Sequence, residues 1–209
     1  MSFQLPLVYP LTDIKLSGLS HSEQVRRFAA GGASLVQLRE KNLSGRDFFE
    51  SALRAVEVAR ELNVRLIIND RVDVALAVGA DGVHLGQDDL PPEAAREILG
   101  DSAIIGFSTH NMVQATAALN LPIDYMAIGP IFPTSSKSDT QPTIGLEGLK
   151  SIQQVVAPIP LVAIGGISQK NATEVIAAGA NSVAVISALL SESDHIAQST
   201  SFLFKLLDQ

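Results

Sequence analysis

The run LVQLREKN, Leu35–Asn42, sets an amide and two cations at alternate positions: Gln37, Arg39 and Lys41. Alternate side chains of an extended strand share a face, so these three project together while Val36 and Leu38 point the other way. Such a trio suits an anion with several oxygens, because the guanidinium offers a planar fork of donors and the ammonium a compact charge. The competing reading is a solvated loop, since most charge runs face water. Two aspartates, Asp70 and Asp89, follow short apolar runs farther along. Paired carboxylates facing one opening fit Mg2+, which takes one or two protein carboxylates and completes its shell with phosphate oxygens and water. Taken singly, each also reads as a helix N-cap, because a helical pattern follows both. Asp89 is preferred to Asp88, although the sequence barely separates them.

These residues need a frame. Eight apolar runs recur, at LPLVYPLT, SLVQLR, VRLIIN, DGVHLG, AIIGFS, YMAIGPIF, PLVAIGG and NSVAVIS. They are short, rich in Val, Ile and Leu, and apolar on both faces, as buried parallel strands are. Longer amphipathic stretches separate them. SGRDFFESALRAVEVARELN opens on Ser44 as an N-cap and carries Phe48, Ala52, Val56 and Ala59 at helical spacing. Pro91 and Pro92 suit a helix's first turn. The pattern G-A-x-x-V recurs at Gly32–Val36, Gly79–Val83 and Gly179–Val183, each time turning a helix end into a strand. Eight β-then-α units without a linker predict an α/β protein, a single-domain TIM (β/α)8 barrel over residues 1–209. The alternative, an open doubly wound sheet, would show a Gly-rich fingerprint after its first strand, and PLTDIKLSGLS is not one.

A barrel places function at the C-terminal ends of its strands. Those ends carry Gln37, Arg39 and Lys41; Asn69 and Asp70; Gln87 and Asp89; Ser108 and His110; the insert Thr134–Lys137; Gly165 and Gly166; and Ile186 with Ser187. The opposite ends are plain turns. Polarity on one rim favours the anion-binding reading of Arg39 and Lys41. The two glycines of AIGGI permit close backbone approach to a phosphate, although tight βα turns use paired glycines too. The segment PTSSKSDTQPTIG, from Pro133, reads either as a lid or as a flexible loop. His84, within the fourth strand, reads as a hydrogen-bonded core histidine rather than a base. His110 reads as a site residue or a cap, and His21 and His195 have no evident role.

The net charge of -7 weighs against nucleic acid as the main partner, while a small anion needs only local positive charge. The absence of cysteine excludes disulfides, thiolate zinc sites and a cysteine nucleophile. No basic start followed by an apolar run is present, nor an uncharged run long enough to span a bilayer. The expectation is therefore a cytoplasmic protein without membrane contact. Homo-oligomer formation is left open.

The segments QLREK, IIND, GVHLGQDD, the serine of GFSTH, GPIFPTSSK, AIGGI and VISAL run from Gln37 to Leu189. In that order they resemble the thiamine-phosphate synthase family, also called thiamine-phosphate pyrophosphorylase. The resemblance implies an Mg2+-dependent transferase that joins hydroxymethylpyrimidine diphosphate to thiazole phosphate, giving thiamine phosphate and pyrophosphate. Carried over by motif, Gln37 holds the pyrimidine. Arg39, Lys41, Asn69, Ser108 and Lys137 contact the diphosphate, with Arg39, Lys41, Ser108 and Lys137 acting on the leaving group. Asp70 and Asp89 bind Mg2+. Thr134, Ser136, Gly166, Ile186 and Ser187 contact the thiazole phosphate, partly through backbone. Ser136 stands where the family often has threonine, and the hydroxyl is kept. Three alternatives accompany this reading. One is a thiazole tautomerase-like isomerase using His110, and another a non-catalytic barrel that binds thiamine phosphate. The third, a different phosphate-handling isomerase, explains AIGGI but not the paired aspartates.

Overall fold

The structure, a computed structural model, describes residues 3–134 and 142–208. Its strands are β1 (Val8–Pro10), β2 (Leu35–Leu38), β3 (Arg65–Asn69), β4 (Gly82–Leu85), β5 (Ile104–Thr109), β6 (Tyr125–Ile128), β7 (Leu161–Ile164) and β8 (Ser182–Val185). All are parallel in one sheet, each paired with its successor from β2 to β8, and β8 pairs back onto β1. The seam between β1 and β2 is joined by a Leu11–Gln37 bridge, where the Thr12 N–H donates to the Gln37 carbonyl at 2.9 Å. The eight apolar runs thus make the expected barrel.

The helices are α1 (Ile14–Ser17), α2 (His21–Ala30), α3 (Gly45–Glu61), α4 (Val72–Val78), α5 (Pro92–Leu99), α6 (Met112–Ala117), α7 (Gly145–Val156), α8 (Ala172–Ala177), α9 (Ser187–Leu190) and α10 (Ile196–Leu207). Sequence logic accounts for their starts and faces. Ser44 caps α3 by accepting the Asp47 N–H at 3.2 Å, and Phe48, Ala52, Val56 and Ala59 form its buried stripe. Pro92 is the first residue of α5, where a missing N–H costs nothing. None of the described helices is long and apolar enough to cross a membrane.

Two of the three G-A-x-x-V copies have a physical reason at the barrel's N-terminal end. Asp81, just before β4, accepts the Leu66 N–H of β3 at 2.8 Å. Asn181, before β8, accepts the Leu161 N–H of β7 at 2.8 Å. Asp124, before β6, accepts the Ile105 N–H of β5 at 2.8 Å without belonging to the repeat. In each case a short polar side chain ahead of one strand satisfies an N–H near the start of its neighbour. Asp124 is held in turn by Arg96 Nη2 at 2.8 Å, and the same guanidinium donates to the carbonyls of Ala103 and Pro122. This knot is half-buried, so its loss strands polar groups away from water. Asp124→Ala should therefore destabilise the fold by about 1–3 kcal/mol, the cost of an unsatisfied buried donor, read as a lower midpoint in urea unfolding.

Candidate active site

The polar core of the barrel's upper half is a hydrogen-bonded chain. Gln37, buried on β2, donates from Nε2 to the Tyr9 hydroxyl on β1 at 3.2 Å. The Tyr9 hydroxyl lies 2.9 Å from that of Tyr125 on β6. Tyr125 reaches His84 Nδ1 on β4 at 3.0 Å, and His84 Nε2 reaches Ser108 Oγ on β5 at 2.8 Å. The amide nitrogen donates at one end, and one direction consistent with it runs Gln37 to Tyr9, Tyr9 to Tyr125, Tyr125 to His84 Nδ1 and His84 Nε2–H to Ser108. Burial pushes both phenols well above the usual tyrosine range, so they stay protonated donors. Gly106 sits between His84 and Tyr125 in strand register. A Cβ there would stand 2.5 Å from His84 Nδ1 and would overlap the Tyr125 hydroxyl, so the glycine makes room for the bond across β5. His84 is thus the hydrogen-bonded core histidine that the sequence suggested.

Above this chain lie the charges. β2 ends at Leu38, so the strand alternation expected to carry Arg39 and Lys41 onto one face does not extend that far. The chain turns instead, with the Glu40 carboxylate accepting the N–H groups of Lys41 and Leu43. Even so, the two cations reach the rim. The Arg39 N–H donates to Thr12 Oγ1 at 3.1 Å, and its guanidinium pairs with Asp13 at 3.3 Å. Arg39, Lys41 and Asp13 line a cleft of about 250 Å³. Lys41 Nζ pairs with Asp70 Oδ2 at 2.6 Å.

Neither aspartate is a cap. Arg71 and Pro91 occupy the N-cap positions of α4 and α5. Asp70 has φ +64, a left-handed conformation a non-glycine residue adopts at a cost. Its N–H donates to the His84 carbonyl at 2.8 Å, which ties it to the polar chain. Asp89 Oδ2 accepts the Gly86 N–H at 2.7 Å. Burial pushes the Asp89 carboxyl up, opposed by the Gly86 bond, and the nearby Asp70 charge adds to the rise. Two neighbouring carboxylates, with an ammonium drawn onto Asp70, are a donor set that fits a hard divalent cation. No cluster of three or more His, Asp or Glu exists among the described residues, and Mg2+ does not need one.

On the other side of the rim, Thr134, Gly166 and Ser187 line a second cleft of about 290 Å³. Ile186 precedes it as the N-cap of α9. Gly165 and Gly166 have φ +101 and +65. A Cβ on Gly166 would lie 2.7 Å from the Pro133 carbonyl oxygen, and one on Gly165 2.6 Å from Pro130 Cα. The paired glycines therefore let the segment after β6 run against the end of β7, which brings Thr134 to this cleft. The next helix, α8, starts only at Ala172, so after β7 it is the turn that faces the cleft, while the first residues of α9, Ser187 and Ala188, line it from β8. Asn69 closes β3 beside Asp70 and is buried. His110 is not a cap either: Asn111 caps α6, and His110 Nδ1 lies 2.7 Å from the Gly129 carbonyl. Ser136 and Lys137 lie outside the described residues.

Sequence reasoning missed Tyr9, Tyr125, Asp13 and Glu40. The two tyrosines were visible as polar tips inside buried strands. Asp13 and Glu40 gave no such signal, because their partners come from residues distant in sequence or from backbone.

Residues 8–189 match the family described as Thiamine monophosphate synthase. The chain is similar to the thiamine-phosphate synthase of Chloroflexus aurantiacus, 48% identical over 90% of this chain and 86% of that protein. It is 49% identical to that of Clostridium novyi, over 90% of this chain and 92% of the other. Among solved structures, a thiamine phosphate pyrophosphorylase from Pyrococcus furiosus superposes with a TM-score of 0.86 at 40% identity, covering 96% of this chain and 95% of that one. With the family match spanning nearly the whole barrel and relatives this similar on both counts, the chain belongs to the thiamine-phosphate synthase family.

Proposed function

We propose that the protein couples hydroxymethylpyrimidine diphosphate to thiazole phosphate, releasing pyrophosphate, as an Mg2+-dependent transferase of the cytoplasm. The observation that carries this reading is the meeting of Lys41, Asp70 and Asp89 at the ends of β2, β3 and β4, over the Gln37-to-Ser108 chain.

In this reading Gln37, held by Tyr9 through its amide nitrogen, turns its carbonyl oxygen toward the pyrimidine. The C–O bond to the diphosphate breaks early, and its electron pair leaves with pyrophosphate. Arg39, Lys41, Asn69 and the Ser108 hydroxyl meet the growing negative charge as donors already in place, which is how such sites lower a barrier. Mg2+ bound by Asp70 and Asp89 would add charge neutralisation on the same oxygens. Lys137 joins this set by motif alone. The thiazole nitrogen's lone pair then forms the C–N bond to the pyrimidine methylene. That step requires the thiazole to be held roughly 3–3.5 Å away, a task for Thr134, Ser136, Gly166, Ile186 and Ser187. No strong base or covalent nucleophile is needed, which suits a site without a triad.

The direct test incubates the protein with both substrates and Mg2+ and looks for thiamine phosphate by mass. The expected result is coupled product. Rearranged thiazole without coupled product would favour the isomerase reading instead. Arg39→Ala should lower turnover at least ~100-fold, the scale of losing one charge-stabilising donor; near-normal kinetics in a folded variant would remove Arg39 from the reaction. Asp89→Ala should shift the Mg2+ titration of activity to higher concentration, and an unchanged titration would take Asp89 out of the metal site. Tyr125→Phe breaks the polar chain at its centre and should lower kcat/KM by roughly 10-fold, the cost of about one buried hydrogen bond, with little change in the Mg2+ titration.

A further inference from the structure

Of the Arg39, Glu40 and Lys41 run, Glu40 has no part in the reaction as proposed. A carboxylate beside an anion site is electrostatically unfavourable, so its presence there asks for a reason. Its Oε1 accepts the N–H of Lys41 at 2.7 Å, of Asn42 at 2.5 Å and of Leu43 at 3.3 Å. Its Oε2 lies 3.3 Å from Nε2 of His21, at the start of α2. The side chains are 7% and 0% exposed. One oxygen thus gathers three successive amides just where β2 has run out of ladder partners, and the other is anchored in the core. Burial pushes the Glu40 carboxyl up, but the backbone N–H bonds from Asn42, Lys41 and Leu43 pull the other way, and it lies below the usual range. Burial lowers His21 below its ordinary value despite Glu40, so the imidazole is neutral. Its Nε2–H donates to Glu40, and Nδ1 has no hydrogen-bond partner among the described residues.

The helix that follows does not explain these contacts. Ser44 caps α3 by itself, and the Glu40 bonds stop at Leu43. What the turn does control is the start of the Lys41 side chain, which reaches Asp70 across the rim while half exposed. A lysine carries about 2 kcal/mol of rotamer entropy, so where its Cα is fixed decides how often the ammonium is in place.

We propose that Glu40 is a positioning residue: its carboxylate, anchored by His21, fixes the Lys41–Leu43 turn and so sets the Lys41 ammonium at the diphosphate. This rests on the function proposed above.

A double-mutant cycle on the Mg2+-loaded enzyme with both substrates tests it. Glu40→Ala should lower kcat/KM for the pyrimidine diphosphate by ~10- to 50-fold and leave KM for thiazole phosphate within ~2-fold; in a Lys41→Ala background the same change should cost less than ~3-fold, because residues acting through one contact are not additive. Glu40→Gln, which keeps a carbonyl oxygen for the turn, should recover most of the loss, and it carries the cycle if Glu40→Ala does not fold. Equal losses in both backgrounds, equal rises in both KM values, or wild-type kinetics would overturn the proposal. Calorimetric binding of inorganic pyrophosphate with Mg2+ separates this from the parent reading. A weaker affinity in Glu40→Ala supports the positioning role even if no coupled product forms, whereas unchanged affinity sinks it.

Discussion

The seam between β1 and β2 is the constraint on which the site depends. Elsewhere the sheet is held by continuous parallel ladders, whereas here the barrel closes through the Leu11–Gln37 bridge and the Thr12 N–H bond to the Gln37 carbonyl. Closure brings Tyr9 within reach of Gln37 and puts the Thr12 hydroxyl under the Arg39 N–H. With the seam apart, Gln37 would lose Tyr9, and Arg39 would lose both Thr12 and Asp13. Parallel strands of three to six residues, buried on both sides, thus do more than form a core. They bring polar side chains from five strands into one line, and a missing side chain at Gly106 lets that line cross β5.

The rim balances opposite charges. Arg39 rests on Asp13 and Lys41 on Asp70, so the cations are not waiting bare. The two pairs differ in strength of hold. Lys41 is 52% exposed, and exposed pairs contribute only about 0–1 kcal/mol, so its partner is readily exchanged. Arg39 is 14% exposed and is held by its backbone as well. In the proposed reaction an incoming diphosphate with a divalent cation would take Lys41 from Asp70 while the cation took the carboxylate, so that neither sign would be left unpaired. Asp70's left-handed backbone, tied to the His84 carbonyl, holds its end of the Lys41 pair in place.

Much of this was legible in the chain. Apolar runs of the right length, Ser44 before its helix and the proline pair at α5 each state a local rule that the fold obeys. The polar strand ends marked the rim because a barrel separates its two ends so cleanly. The loop after β2 was read less well. Extrapolating strand alternation past Leu38 put Arg39 and Lys41 on one face for the wrong reason, since a side chain of the loop itself bends the backbone there. The capping readings of Asp70 and Asp89 also failed. Local sequence cannot tell a carboxylate that caps the next helix from one turned toward a neighbouring strand. The Tyr9 to Ser108 chain joins residues as far apart as Tyr9 and Tyr125, a pairing no short window of sequence contains.

The pairing of β1 with β8 has an implication for how the molecule comes into being. Val8 lies against Val183, and Tyr9 against Ala184. As a ribosome releases the polypeptide from its N-terminus, the first strand emerges long before its mate exists and must stay unmatched through most of translation. The cylinder cannot complete itself until β8 is out, so its polar mouth takes shape only after every strand around it has been made.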